Sequence, residues 1–320
     1  MRLSPSLLHR LAGIIALGVT SVYGQNYPTK PIRFVTSGVG GSPDIVARLT
    51  AAGLTASLGQ QVIVDNRSSG VVPGETVSKA QPDGYTLLST SGILWTGPLL
   101  QSKTPYNPVT DFAPITLAGT VANILVVNAS LPVGTVRELI EYCKARPGKL
   151  NYASSSMGSS SHLAAELFRA IAGVDIVQIN YKGAGPALNG LLTGESHLAF
   201  TNAASVATQV SAGRLKALAT GSAEPSALTP GLPTLAASGV PGYESVQAVA
   251  IFAPARTPTM LVERLNREIV LVLNATEVRS RLANVGVEIV ASSPAMLAVK
   301  MKSEMVRLGK VIKDAGIRVE

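Results

Sequence analysis

The chain has 320 residues, enough for one large domain or two medium ones, and 46% of them are apolar, which supplies packed cores and excludes a disordered chain. The formal charge is +8, but Lys and Arg are scattered, with no basic run and no interleaved aromatics, so a nucleic-acid interface is not expected. One cysteine excludes an internal disulfide.

The N-terminus reads as an export leader. Arg2 and Arg10 give a positive start, Leu11 to Val19 is a short apolar stretch, and Val22-Tyr23-Gly24 offers small residues for cleavage before Gln25. Loss of Arg2 and Arg10 leaves a mature charge of about +6, a mild excess that suits an anionic ligand. No other run approaches the ~20 apolar residues of a membrane span. A soluble, exported product is expected.

Ile32-Arg33-Phe34-Val35 reads as a buried strand and Ile45-Val46-Ala47-Arg48-Leu49 as a helix. Between them lies Gly38-Val39-Gly40-Gly41-Ser42-Pro43-Asp44. Ser42 is the expected N-cap, Pro43 the first helical residue, and Asp44 sits in the first turn, where the helix dipole favours a carboxylate. The glycines leave backbone N–H groups uncovered, so strand, turn and helix end together can hold an anion. The plain alternative is that the glycines serve only the turn. Gln61 to Val64 is the next strand, Glu75 to Ala80 a short helix, and Tyr85 to Leu88 a strand running into Ser89-Thr90-Ser91-Gly92.

Residues 113 to 128 are predicted to form two apolar strands. A helix starts at Val136 behind a Thr135/Glu138 capping box, and Cys143 falls on its apolar face as a buried structural thiol. Leu150 to Ala153 is a strand leading into a serine-rich loop, Ser154 to Ser161, and then a helix from His162 to Phe168. This repeats the opening architecture. Strands at Val174 to Ile179 and Leu198 to Phe200 end at Tyr181-Lys182-Gly183 and Thr201-Asn202. A Pro- and Gly-rich region from Pro225 to Gly242 precedes a strand at Ala248 to Phe252. The remainder is helical, with N-cap–Pro starts at Thr257-Pro258 and Ser293-Pro294. Leu297, Met301, Met305, Leu308 and Ile312 line one face.

The alternation of strands and helices predicts an α/β fold with mostly parallel sheets. The middle of the chain reads as an inserted second unit, and two small-residue loops facing each other across a cleft would hold an anionic small molecule. Catalytic motifs are sparse. No Gly-x-Ser-x-Gly elbow, H-E-x-x-H or paired cysteines occur, and only His162 and His197 follow the leader. His162 beside three serines leaves open an exported hydrolase-like enzyme. Gly38-x-Gly40-x-x-Pro43 with Asp65 resembles a dinucleotide fingerprint, but proline replaces its third glycine.

Further residues carry a resemblance. Lys30-Pro31-Ile32, Gly40-Gly41-x-x-Asp44, Leu58-Gly59-Gln60, Asn66-Arg67, Pro82-Asp83-Gly84-Tyr85-Thr86-Leu87-Leu88 and Asp111-Phe112-Ala113-Pro114 are followed by Leu150-Asn151-Tyr152-Ala153-Ser154-Ser155, His162-Leu163-Ala164-x-Glu166-Leu167-Phe168, Tyr181-Lys182-Gly183 and Phe252-Ala253-Pro254. In this order they resemble periplasmic solute-binding receptors of the tripartite tricarboxylate transporter family, the Bug proteins. The resemblance implies a non-enzymatic, type II-like clamshell that closes on a small organic carboxylate. It implies a leader over 1–24, a first domain from 25–122 and 248–320, and an inserted domain over 123–247. The ligand-binding set it suggests is Val39, Gly40, Gly41, Ser42, Asp44, Thr90, Ser91, Ser154, Ser155, Gly158, Ser159, Ser160, Tyr181, Lys182, Gly183, Thr201 and Asn202. No catalytic residue, metal or cofactor is expected. The expected partners are the carboxylate and, where the receptor has a dedicated one, a permease of large and small membrane subunits; the receptor itself is expected to be a monomer. Four departures bear on the ligand. Thr36-Ser37-Gly38 replaces a more apolar lead-in, the loop after Arg67 is shorter with Val71-Val72-Pro73 beyond it, Thr201 stands where the family has Asp, and Ala248 where it has Trp.

Overall fold

The computed structural model describes residues 27–67, 71–100 and 103–314, so the leader expected over 1–24 lies outside the described residues. In chain order the elements are β1 (Ile32–Thr36), α1 (Ser42–Leu58), β2 (Val62–Asn66), α2 (Val72–Ser78), β3 (Thr86–Ser91), α3 (Ile93–Leu100), β4 (Phe112–Asn128), α4 (Val136–Lys144), β5 (Leu150–Ser154), α5 (Ser160–Ala172), β6 (Ile176–Asn180), α6 (Ala184–Thr193), β7 (Leu198–Asn202), α7 (Ala203–Ser211), β8 (Leu215–Thr220), β9 (Val246–Pro254), α8 (Thr259–Asn274), α9 (Thr276–Asn284), β10 (Glu288–Ile289) and α10 (Pro294–Asp314).

The strands run in the order β2-β1-β3-β9-β4-β7-β5-β6, and β8 and β10 also pair with β4. The outer ladders β1·β2, β1·β3, β5·β6 and β5·β7 are parallel. The central pairings of β4 and β9 are antiparallel, so the sheet as a whole is mixed.

One correction concerns β4. The two strands expected over 113–128 are a single strand of 17 residues. Its first half pairs with β9 as far as Ala122, and its second half pairs with β7 from Asn123 onward. Register shifts between Pro114 and Thr116 and between Leu117 and Gly119 let it bend without breaking. Gly119 makes room for a neighbouring strand. A Cβ there would meet the Glu288 carbonyl oxygen at 2.6 Å, where β10 crosses.

Two cores flank the sheet. Ile32, Phe34, Leu54, Leu265 and Ile269 pack α1 and α8 against the β1–β9 half. Leu139, Tyr152, Phe168, Phe200 and Tyr243 fill the half built by β5 to β8. Cys143 is fully buried there, and burial pushes its thiol up to about 11, which makes it inert. The apolar face expected on the last helix is present. Leu297 and Met301 pack beneath β9, whereas Ile312 and Leu308 join Leu100 of α3 and Leu163 of α5. The helix α10 therefore lies across both halves.

Several helix starts differ from expectation. The N-cap of α1 is Gly41 in extended backbone, and Ser42 is its first helical residue with no side-chain cap. Thr257 donates its hydroxyl to the Pro254 carbonyl, and Pro258 takes the cap position of α8. Ser293 does accept from the Met296 N–H, and Thr135 from the Glu138 N–H. The Glu138 carboxylate reaches the Gly134 N–H one residue further back. The short helix expected from Glu75 starts at Val72, with Pro73 in the first turn.

Candidate functional site

Parallel strands deliver their helices to one edge of each half-sheet, so several helix N-termini converge. The loop 37–41 links β1 to α1, Gly92 links β3 to α3, and residues 155–159 link β5 to α5. Gly92 accepts from the N–H groups of Trp95 and Thr96 and so opens α3. Ser159 caps α5 by accepting from the His162 N–H. The N–H groups of Ile93, Leu94, Ser160 and Ser161 have no acceptor among the described residues. Such unpaired donors at a dipole's positive end attract anions.

Between these ends lies a cavity of about 350 Å³. Thr90, Ser91 and Gly92 line it from the β3–α3 junction, and Gly158, Ser159 and Ser160 from the β5–α5 junction. A second cavity of about 220 Å³ continues over β7 and is lined by Ser155, Ser160, Thr201 and Asn202. The two meet at Asn123, Ser160 and Gln247. Asn123 marks the point where β4 changes partner. It is 5% exposed, and its amide donates to the Ser245 hydroxyl.

Nine residues of the expected set line neither cavity. Val39, Gly40 and Gly41 are exposed at the rim, where only their neighbour Ser37 reaches the wall. The Gly40 N–H is not free; it donates to the Asp44 carboxylate at 2.9 Å. Asp44 is 2% exposed and also accepts from the Asn66 amide and from Arg48. Burial disfavours its ionisation, but the Gly40 N–H, Asn66 and Arg48 outweigh burial and hold its carboxyl below the usual range. Asp44 therefore spends its carboxylate on shaping the loop. Ser42 offers no hydroxyl to the cavity wall.

Ser154 points away because successive strand residues face opposite sides, and Ala153 is the one that lines the second cavity. The Ser154 hydroxyl is fully buried and accepts from the Gln178 amide. Tyr181 donates to the Glu195 carboxylate and covers Gly190, where a Cβ would sit 2.0 Å from the phenol oxygen. Lys182 is exposed, and the Gly183 N–H is spent on the Ser155 carbonyl. Asn202 caps α7 and donates to the Val285 carbonyl, so its wall position is also structural.

His162 is 3% exposed, and its Nδ1 accepts from the Gly158 N–H. Burial holds its pKa below the ordinary value, and the ring is neutral. No serine hydroxyl bonds to this ring among the described residues, so the arrangement lacks the nucleophile–base contact of a hydrolase. Asp65, read beside the glycine turn, is engaged by Arg33 and Arg67.

The first cavity is closed by residues with weak sequence signals: Thr96, Glu244, Gln247, Glu304 and Arg307. Asn123 carried a readable signal as a lone amide in an apolar run. Ala248, 1% exposed, lies on this wall and shares a cluster with Trp95 and Phe252. Thr201 carries no charge into the second cavity, and its hydroxyl pairs with Ser205. No helix among the described residues is long and apolar enough to cross a membrane.

Residues 46–317 match the family model described as tripartite tricarboxylate transporter family receptor. The chain is 34% identical over 322 residues to protein BugT of Bordetella pertussis, covering 97% of this chain and 99% of that one. A solved R. palustris protein with adipate is 36% identical, with TM-score 0.78, over 91% of this chain and 99% of that chain. The MatC protein of Rhodopseudomonas palustris with bound malate is 26% identical, with TM-score 0.73, over 89% and 100%.

Proposed function

The chain belongs to the tripartite tricarboxylate transporter receptor family, a family of two-domain solute-binding proteins, and from that premise we propose that it captures a small organic carboxylate between its two domains. The observation that carries this reading is the first cavity, whose lining includes the N-termini of both α3 and α5, with their unpaired N–H groups. The bound adipate and malate of the relatives are of the same ligand class. The division into 25–122 with 248–320 and an inserted 123–247 belongs to this proposal. The change of strand partner between Ala122 and Asn123 supports it. The ligand carries no positive charge and is bulkier than an amino acid, a larger or aromatic mono- or dicarboxylate, because Thr201 offers no anion and Ala248 leaves room on the wall.

The protein is exported to the periplasm after cleavage near Gly24, acts as a monomer without catalysing a reaction, and delivers its ligand to a membrane permease of large and small subunits. N-terminal sequencing of the exported protein tests the cleavage; a start at Met1 counts against it. Mass spectrometry of the protein as purified identifies the ligand. A carboxylate at a hundred times its Kd stabilises the fold by ~2.7 kcal/mol. A panel of organic acids that leaves the melting temperature unmoved, beside a neutral sugar or peptide that raises it, refutes the ligand class.

A further inference from the structure

A third cavity, of about 410 Å³, lies apart from the carboxylate site. It shares no lining residue with the first cavity and only Asn202 with the second. In β4, Asn123 lines the first two cavities, while the flanking Ala122 and Ile124 line this one, as strand alternation allows. The cavity lies where the two half-sheets meet. Its lining comes from α7, β8 and the 226–232 segment, and from Ala283, Gly286 and Glu288, whose neighbours Leu282 and Val287 belong to the core of the β1–β9 half. Two hydrogen bonds tie these parts together: the Asn202 amide donates to the Val285 carbonyl at 3.2 Å, and the Ser226 hydroxyl to Glu288 Oε2 at 2.9 Å. Alanines on α7 and β8 leave the space open, and Ile124, Val210, Leu228 and Leu232 make it apolar.

Glu288 is the one charged residue in this lining. Its carboxylate is held at the cavity by Ser226, which is 7% exposed. The Ser226 hydroxyl accepts from the Leu228 N–H, and that bond turns its proton toward Glu288. Glu288 Oε1 has no hydrogen-bond partner among the described residues, and the side chain is solvent-accessible. No Lys or Arg lines the cavity; on α9, Arg281 is spent on Glu277 and Arg279 on Asn274. An anchored carboxylate beside an apolar space favours a cation that brings its own hydrocarbon body. An anion would be repelled by Glu288, and a bare divalent ion would find one carboxylate where it needs several oxygens. We propose that this cavity binds a small organic amine, with its ammonium on Glu288 and its hydrocarbon against Ile124 and Leu232. The proposal is independent of the carboxylate reading.

The test is calorimetric titration of the full chain with benzylamine, protonated near neutral pH, and with its neutral isostere benzyl alcohol. Benzylamine should bind at least about fivefold more tightly than the alcohol. Glu288→Gln keeps an acceptor for Ser226 and removes the charge. It should bring the amine to within about twofold of the alcohol and leave the alcohol's own affinity unchanged. A second measurement needs no variant. With ¹³C-labelled alanine methyls in the wild type, benzylamine should shift the signals of Ala207 and Ala217, which line this cavity, and leave that of Ala153, which lines the second cavity, in place. An amine that binds no more tightly than the alcohol, a preference that survives Glu288→Gln, or shifts at Ala153 in place of Ala207 and Ala217 would overturn the proposal. Absence of binding by both compounds would overturn it too, and each of these results leaves the carboxylate reading standing.

Discussion

Replacing Asp44 should loosen the loop that leads into α1. Its carboxylate holds the Gly40 N–H at 2.9 Å, the Asn66 amide at 2.8 Å and Arg48 at 3.1 Å. Hydrogen bonds to a charged group contribute roughly 1.5–3 kcal/mol each when sheltered. Arg48 is half-exposed, so its share is close to that of a surface ion pair, ~0–1 kcal/mol. The other two bonds dominate, and Asp44→Ala should cost about 3 kcal/mol, allowing for water that re-enters around Asn66. Thermal unfolding of the ligand-free protein should show a fall of roughly 5–10 °C. The same bonds make the contribution pH-dependent. The folded carboxyl lies below the unfolded value of ~3.9, so the stabilisation is complete above that value and is lost as pH falls through the folded one. Asp44→Ala should flatten that acid limb. Asn66 shares the interaction, so Asp44→Ala with Asn66→Ala should cost at least ~1 kcal/mol less than the sum of the singles. Strict additivity, or an unchanged acid limb, would show that Asp44 does not organise this loop.

Other substitutions separate structure from binding. Ser159→Ala removes the α5 cap and should cost about 1 kcal/mol, whereas Ser159→Asp keeps a good cap but brings a negative charge to the cavity; melting should favour Asp and carboxylate titration Ala. If both variants bind alike, the loop does not face the ligand. His162 is neutral in the fold, so its contribution to stability is complete above ~6.5 and declines as pH falls below that toward the lower folded value. A ring that titrates at the ordinary value in NMR contradicts its burial. Thr201→Asp should weaken binding of the native acid and, at best, admit an amino-bearing analogue; an unchanged ligand preference would show that the second cavity does not touch the ligand.

The repeated strand–loop–helix unit was legible because apolar spacing and small-residue loops are local signals. The same units give the helix ends that frame the first cavity. Direction within those loops was not legible. Ser154 and Ser155 read alike in the sequence, but the pleat sends the first toward Gln178 and leaves the second on a cavity wall. Asp44 read as a ligand residue because a first-turn carboxylate sits near the anion site, yet its buried partners come from Asn66, on the neighbouring strand β2. The helices α3 and α6 were hidden by internal Gly and Pro, and β10 by its length of two residues. Glu304 and Arg307 read as ordinary helical charges; only the packing of α10 against α3 and α5 puts them on the cavity.

The shared strand β4 has a kinetic consequence. The half-sheet of β5 to β8 and the end of β4 uses one continuous stretch, Asn123 to Thr220. The other half-sheet must wait for β9 to return from Val246–Pro254 and insert between β3 and β4. Closing so long a loop is slow, whereas the middle stretch pays a smaller entropic cost. Pulse-labelled hydrogen exchange should find the amides of β5 and β7 protected before those of β1 and β3, so the nascent chain carries a half-built sheet whose open edge is the place where aggregation starts.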